Sequence, residues 1–219
     1  DSDGFASVEL PEYRAGLLTL SAFLTPQSRP DGPSVVGRGL AINAALVCAM
    51  NPPFPEPDPG VHAIPPMDDW TERQKADYRT AEATCTACHA QFDPFGLALD
   101  VFDAVGRYRT TDSQGRPIDP AVVLPERLGG VRVSGPAEMA AVIAGSERFK
   151  ACMAMSFMEF ALADVTQGGP RAPSPEEPAS GCAVRDVVRA FDAKVERSFG
   201  DLIVEVARSP LLRLRSGGP

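Results

Sequence analysis

Cys85-Thr86-Ala87-Cys88-His89 is the stretch on which the reading of this chain turns. Two thiols three residues apart, with a histidine directly after the second, form the C-x-x-C-H pattern of c-type haem attachment. Each part has a chemical task. Thiols one helical turn apart can add to the two vinyl groups of one haem, and a His on the same turn lies under the iron, where a ring nitrogen serves as proximal ligand. A redox C-x-x-C needs a βαβ setting, whereas the flanks here read as helix. A zinc site needs a second C-x-x-C or a His pair, and Cys48, Cys152, Cys182 and His62 lack that spacing. The expectation is one covalent haem c, bound through Cys85 and Cys88, with His89 on the iron.

Working outward, Thr71-Glu72-Arg73-Gln74 reads as a capping box that starts a helix running into the motif. Further upstream, Leu17, Leu18, Leu20, Phe23 and Leu24 recur at helical spacing within Tyr13 to Thr25. A second apolar run from Val35 to Met50 opens at Pro33-Ser34 and stops at Asn51-Pro52-Pro53. Seven prolines between 52 and 66 make 51–66 an extended, stiff connector. Downstream, Gly96 to Val105 is a short apolar stretch, and Asp112-Ser113-Gln114-Gly115 is a turn between Tyr108-Arg109-Thr110 and Ile118, which predicts a small hairpin. After Gly135-Pro136 the pattern is helical over 137–145, 149–163, 182–197 and 200–208, with a Pro/Gly/Ser-rich loop at 165–181. The fold expected is mainly α: a cytochrome c-like helical haem domain over 10–134 with a small β-hairpin, then a C-terminal helical domain over 135–215, joined by long Pro-rich loops.

The chain has 219 residues, with 21 Lys and Arg against 29 Asp and Glu, a net charge of −8. Such a surface repels phosphate backbones and anionic lipid, so nucleic acid is excluded as a partner and a basic redox partner is favoured. The uncharged run from Gly39 to Pro55 is cut by prolines well short of the ~20 apolar residues of a membrane span. Asp1-Ser2-Asp3-Gly4 has no signal-peptide character, and the chain is expected to be the C-terminal part of a longer protein. Cys152 and Cys182 flank the 165–181 loop and are expected to close it as a disulfide, which persists outside the reducing cytosol. Cys48, inside an Ala/Val run, reads as a buried small hydrophobe, with a disulfide partner in an upstream segment as the alternative.

The run Cys88-His89-Ala90-Gln91-Phe92-Asp93-Pro94-Phe95-Gly96-Leu97-Ala98-Leu99-Asp100-Val101-Phe102-Asp103-Ala104-Val105-Gly106-Arg107-Tyr108-Arg109 resembles the most distinctive part of an uncharacterised family of bacterial, multidomain, exported c-type cytochromes. In that family C-x-x-C-H is followed by D-P-x-G-x-x-x-E-x-F-D-x-x-G-x-x-R. Here Asp100 stands in place of the Glu. Arg14-Ala15-Gly16-Leu17-Leu18-Thr19 and Ser34-Val35-Val36-Gly37-Arg38-Gly39 are similar to its opening. Residues 135–162 and 201–213 look like its C-terminal partner domain, whose A-L-G-R ending stands as Ala161-Leu162-Ala163-Asp164. The resemblance covers nearly the whole chain. It implies a haem c, export to the periplasm or beyond, and membership of a larger cytochrome or membrane complex.

A covalent haem in a small chain without catalytic companions shuttles single electrons, tuned by axial ligand, burial and hydrogen bonds. A backbone carbonyl near Pro94 is one expected acceptor for the free N–H of His89; alternatively Pro94 only ends the haem-bearing helix. Asp103 with Arg107 or Arg109 is expected either to pair near the haem edge or only to bind hairpin to helix. The distal ligand stays open among Met139, 50 residues beyond His89, and the alternatives Met155 and His62; Met67 also precedes the motif. Tyr78, on what reads as the helix of His89, points to the proximal side or edge. The reading is a monohaem electron-transfer module. Alternatives are a peroxidase-like haem oxidoreductase with an open distal site, or a structural haem-bearing subunit.

Overall fold

The computed structural model describes residues 8–14, 16–49, 67–162 and 178–213. The architecture is mainly helical with one small antiparallel sheet. The helices in chain order are α1 (Ser21–Leu24), α2 (Val35–Ala45), α3 (Glu72–Ala81), α4 (Ala83–Ala98), α5 (Pro136–Gly145), α6 (Glu147–Leu162), α7 (Pro178–Asp192), α8 (Phe199–Arg208) and α9 (Pro210–Arg213). Strands β1 (Val122–Val123) and β2 (Arg132–Val133) pair with Val122 opposite Val133 and Val123 opposite Arg132. Contacts group the chain into two compact units, one of residues 1–41 and 52–142, the other of 42–51 and 143–219. No helix of the described residues is long and apolar enough to cross a membrane. The 51–66 connector, with His62, and all but the last four residues of the 165–181 loop lie outside the described residues.

In the first unit α4 is the central element. Ser34 opens α2 as its cap, its Oγ accepting from the Gly37 N–H at 3.0 Å. Helix α2 then crosses α4 at backbone contact. A Cβ on Gly39 would lie 2.2 Å from the Phe92 carbonyl oxygen, and one on Gly96 would lie 1.8 Å from that of Val35. Both glycines are therefore demanded by the approach. Around the crossing Phe95, Leu99, Phe102, Leu24 and Val35 are buried, each such side chain contributing about 1.5–3 kcal/mol of hydrophobic stabilisation.

Arg38 fastens this core. Its side chain is fully buried, and it donates to the carbonyls of Leu99 (2.9 Å), Phe102 (2.7 Å) and Asp103 (2.5 Å) and to Ser28 Oγ (3.2 Å). Those carbonyls lie just past the end of α4, where no helical donor is left for them. Burial lowers the guanidinium to about 10, against Asp100, which raises it. It stays protonated at neutral pH.

The second unit is built on apolar faces of α6, α7 and α8. Cys152, Met155, Met158, Val184, Val187, Val188, Leu202 and Val206 form its core. The i, i+3, i+4 spacing along α7 gives that helix its buried stripe. Ser198 and Asp201 form a capping box at the start of α8, with Ser198 Oγ accepting from the Asp201 N–H at 3.1 Å.

Several sequence expectations change. Tyr13 to Thr25 is not one helix: a 3₁₀ turn (Gly16–Thr19) is separated from α1 by Leu20 in an extended conformation, and Gly16 starts that turn at φ +54°. Helix α2 ends at Ala45 rather than running to Met50, and α7 starts at Pro178 and stops at Asp192. The predicted turn at 112–115 forms, with Asp112 Oδ1 accepting from the Gln114 and Arg116 N–H groups. Around it there is only an isolated bridge between Thr111 and Pro117. The bonds of that bridge run from the Asp112 N–H to the Arg116 carbonyl and from the Ile118 N–H to the Thr110 carbonyl, and the regular strands lie further on, at 122–123 and 132–133.

The disulfide is also re-paired. Cys152 bonds Cys48, Cα atoms 5.4 Å apart, and not Cys182. Cys48 is buried, as a small hydrophobe would be, but it is a cross-link. Beyond α2 the chain turns at Cys48 itself, whose φ is +45°, and Arg148 Nε donates to the Val47 carbonyl at 2.9 Å. These contacts seat 42–49 in the second unit. Cys182 is a free, exposed thiol 3.1 Å from Arg185 Nη2.

Candidate functional site

The capping box forms as the sequence predicts. Thr71 Oγ1 accepts from the Gln74 N–H, and the Gln74 side chain accepts from the Thr71 N–H at 2.9 Å. The helix it starts does not continue into the motif. Glu82, at φ −75° and ψ 123°, ends α3 and begins α4, and the two helices pack together across that break. Tyr78 is therefore on α3 and not on the helix of His89. It meets Trp70 edge-on at 5.7 Å. Desolvation, then the neighbouring Glu82 and Cys85, raise its phenol above the ordinary value.

Cys85, Cys88 and His89 occupy the first two turns of α4. At about 100° per residue they fall within about 100° of arc on one helix face. All three are half-buried, and both thiols are free. Further along the same stripe come Phe92 and Gly96, which are buried where α2 crosses. Among the described residues, the stripe is thus closed by protein over its second half and only half-buried over its first.

His89 is held from one side. Its Nδ1 lies 3.1 Å from Asp93 Oδ1, one turn on, while Asp93 Oδ2 accepts from Arg79 Nε of α3 at 2.8 Å. The Asp93 side chain is 1% exposed. The ring sits against Phe92, centroids 5.0 Å apart. Nε2 makes no hydrogen bond among the described residues. The expected backbone acceptor near Pro94 is replaced by this carboxylate. Pro94 does not end the helix either: α4 runs four residues past it, to Ala98. The sequence reading misses Asp93 and Arg79 because it looks for the His89 partner in a backbone carbonyl near Pro94. Asp93 is four residues from His89, the spacing that puts two side chains on one helix face.

The rest of the run downstream of the motif is engaged in contacts within its own unit. Asp100 pairs with Arg109 at 2.7 Å; desolvation raises its carboxyl, against the pull of Arg109. Asp103 Oδ1 accepts from the N–H groups of Val105 and Arg107, and its Oδ2 takes the Arg107 side chain at 2.8 Å. Phe102 is buried under Arg14, whose guanidinium lies 5.0 Å from the ring centre. Gly106 turns the chain at φ +81°.

Of the residues considered for the distal position, Met139 lies fully buried in α5, in the same unit as His89. Met155 packs in the α6–α8 core of the other unit. Met67 is half-buried, and His62 is outside the described residues. Among the described residues no group of three or more His, Cys, Asp or Glu could hold a bare metal ion. The donors fit a haem c instead: two free thiols one turn apart, and an adjacent imidazole with one nitrogen engaged and the other available.

Residues 14–112 match the family PSCyt3, a protein of unknown function (DUF1588). The match spans α1 to the turn at 112 and contains the whole C-x-x-C-H segment; the family's name hints at a cytochrome-like domain. No curated protein and no solved structure matches the chain.

Proposed function

We propose that this chain is a monohaem c-type cytochrome module that carries single electrons within a larger exported protein or complex. The observation that carries the reading is the half-buried stripe at the start of α4, where Cys85, Cys88 and His89 face one way with both thiols free. Cys85 and Cys88 would hold the haem as thioethers, and His89 Nε2 would ligate its iron. Bound there, haem supplies a one-electron Fe(III)/Fe(II) couple. Asp93 holds the imidazole by its other nitrogen, and Phe92 packs on the ring. The Cys48–Cys152 disulfide supports a periplasmic or extracellular setting, and the charge of −8 supports a basic redox partner.

Visible spectra of the native protein, and of its alkaline pyridine adduct oxidised and reduced, test this. A c-type signature with the weak far-red band of a ferric Met-ligated haem is the expected result. Absence of covalent haem overturns the proposal. A c-type haem lacking that band and binding carbon monoxide rapidly replaces electron transfer with chemistry at an open distal site.

A further inference from the structure

The buried carboxylate of Asp93 is an unusual neighbour for a motif that is itself only half-buried. Taking a carboxylate out of water is costly unless its oxygens are hydrogen-bonded. Both are: Oδ1 faces His89 Nδ1 at 3.1 Å, and Oδ2 accepts from Arg79 Nε at 2.8 Å. Arg79 is on α3, beyond the break at Glu82, so the pair also ties the two helices together. Arg79 alone would be satisfied by a surface carboxylate. Asp93 lies inward, on the turn that follows His89.

We infer that Asp93, clamped by Arg79, is the positioning residue of the proximal ligand: it accepts the His89 Nδ1–H, fixes the ring's rotation and tautomer, and lowers the reduction potential of iron bound at Nε2. This rests on the haem reading above. A ligating histidine takes its tautomer and basicity from what its second nitrogen meets. A carboxylate draws on the N–H more strongly than a neutral carbonyl, because charge-assisted hydrogen bonds are about twice as strong as neutral ones. The extra electron density on the imidazole stabilises Fe(III) over Fe(II). Arg79 shares the same carboxylate and moderates that pull. The two residues therefore act in opposite directions on one equilibrium.

The test is potentiometry on the full, haem-loaded chain and two variants. Asp93→Asn keeps the side chain's shape and an acceptor oxygen but removes the charge. It should shift the Fe(III)/Fe(II) equilibrium about tenfold towards Fe(II), which is about 59 mV for one electron. Arg79→Gln, which leaves the carboxylate unshared, should shift it the other way. A purely structural role predicts that both variants lose stability with the potential unmoved. Potentials of either haem-loaded variant within twofold of native in that equilibrium, with native circular dichroism, overturn the inference. If Asp93→Asn does not accumulate, Arg79→Gln decides alone by the sign of its shift. The pyridine spectrum of the native protein separates the two claims: without a c-type haem there, the haem reading itself fails, whereas a normal spectrum with unmoved potentials sinks only the role of Asp93.

Discussion

The pairing of Cys152 with Cys48 rather than Cys182 is open to a direct and quantitative challenge. The bond joins residues separated by 104 positions. In the chain-entropy account, closing a loop of that size in the unfolded state stabilises the fold by about 4.8 kcal/mol, while the thirty-residue loop of a Cys152–Cys182 bond would give about 3.7 kcal/mol. The two values are too close for stability to name the partner. Single substitutions name it. Cys182 is exposed and unbonded, so Cys182→Ala should leave the unfolding free energy from urea titration unchanged within about 0.5 kcal/mol. Cys48→Ala should lower stability by about 2–5 kcal/mol, and a reductant should add little to that loss. Peptide mapping of the unreduced chain should recover a Cys48 peptide joined to a Cys152 peptide. A Cys152–Cys182 peptide, or a Cys182→Ala variant as weak as Cys48→Ala, would refute the packing of Val47 and Cys48 against α6.

Two further outcomes follow from the structure. Gly96→Ala puts a methyl where the Val35 carbonyl already stands; forcing α2 and α4 apart should cost about 3 kcal/mol or slightly more, at the upper end for overpacking, read as a lower urea midpoint, and an unchanged midpoint would refute the close crossing. In the second unit, a backbone hydrogen bond from Ser198 and then its hydroxyl lower Asp201, and a hydrogen bond from Lys194 lowers Glu205. Groups lowered by folding stabilise above their unfolded values, 3.8 and 4.5, and lose that contribution as pH falls through the folded ones. Acid unfolding should therefore steepen below about pH 4.5, and Asp201→Asn with Glu205→Gln should flatten it; an unchanged acid slope in the double variant would refute the assignment.

What the sequence made legible was local. The Thr71 capping box, the Ser34 start of α2 and the turn at Asp112 each depend on side chains reaching the backbone a few residues away, and all three stand in the structure. What it concealed was tertiary. Nothing at Glu82 is a helix breaker by type; the break goes with the packing of α3 on α4, where Arg79 reaches Asp93. Three cysteines outside the motif allow three pairings, and sequence proximity favoured the wrong one because the turn at Cys48 is set by contacts to residues about a hundred positions away. Pro94 misled for a subtler reason. A proline inside a helix removes one N–H, here that opposite the Ala90 carbonyl, yet α4 continues past it to Ala98, beyond which Arg38 holds the carbonyls of Leu99 and Phe102.

The placement of Pro94 inside α4 changes what the motif means. If the helix ended at 93, His89 would sit at a frayed terminus with a backbone carbonyl as its neighbour. Because α4 continues to Ala98, a single stripe carries the motif and the core: Cys85, Cys88 and His89 in the part left half-buried, Phe92 and Gly96 in the part closed by α2. Rotation of α4 would expose Phe92 and drive Gly96 out of register with Val35, so the packing of the second half fixes the direction in which the first half points. Asp93 works from beside that stripe, on the His89 side, and its tie to Arg79 holds α3 to the same orientation. The run downstream of C-x-x-C-H therefore serves the motif by immobilising the helix beneath it: Asp100 with Arg109, Phe102, Asp103 and Gly106 lock the end of α4 and touch none of its donors. That division of labour, with donors at the start of a helix and the anchors at its end, explains how a half-buried C-x-x-C-H can be held rigidly.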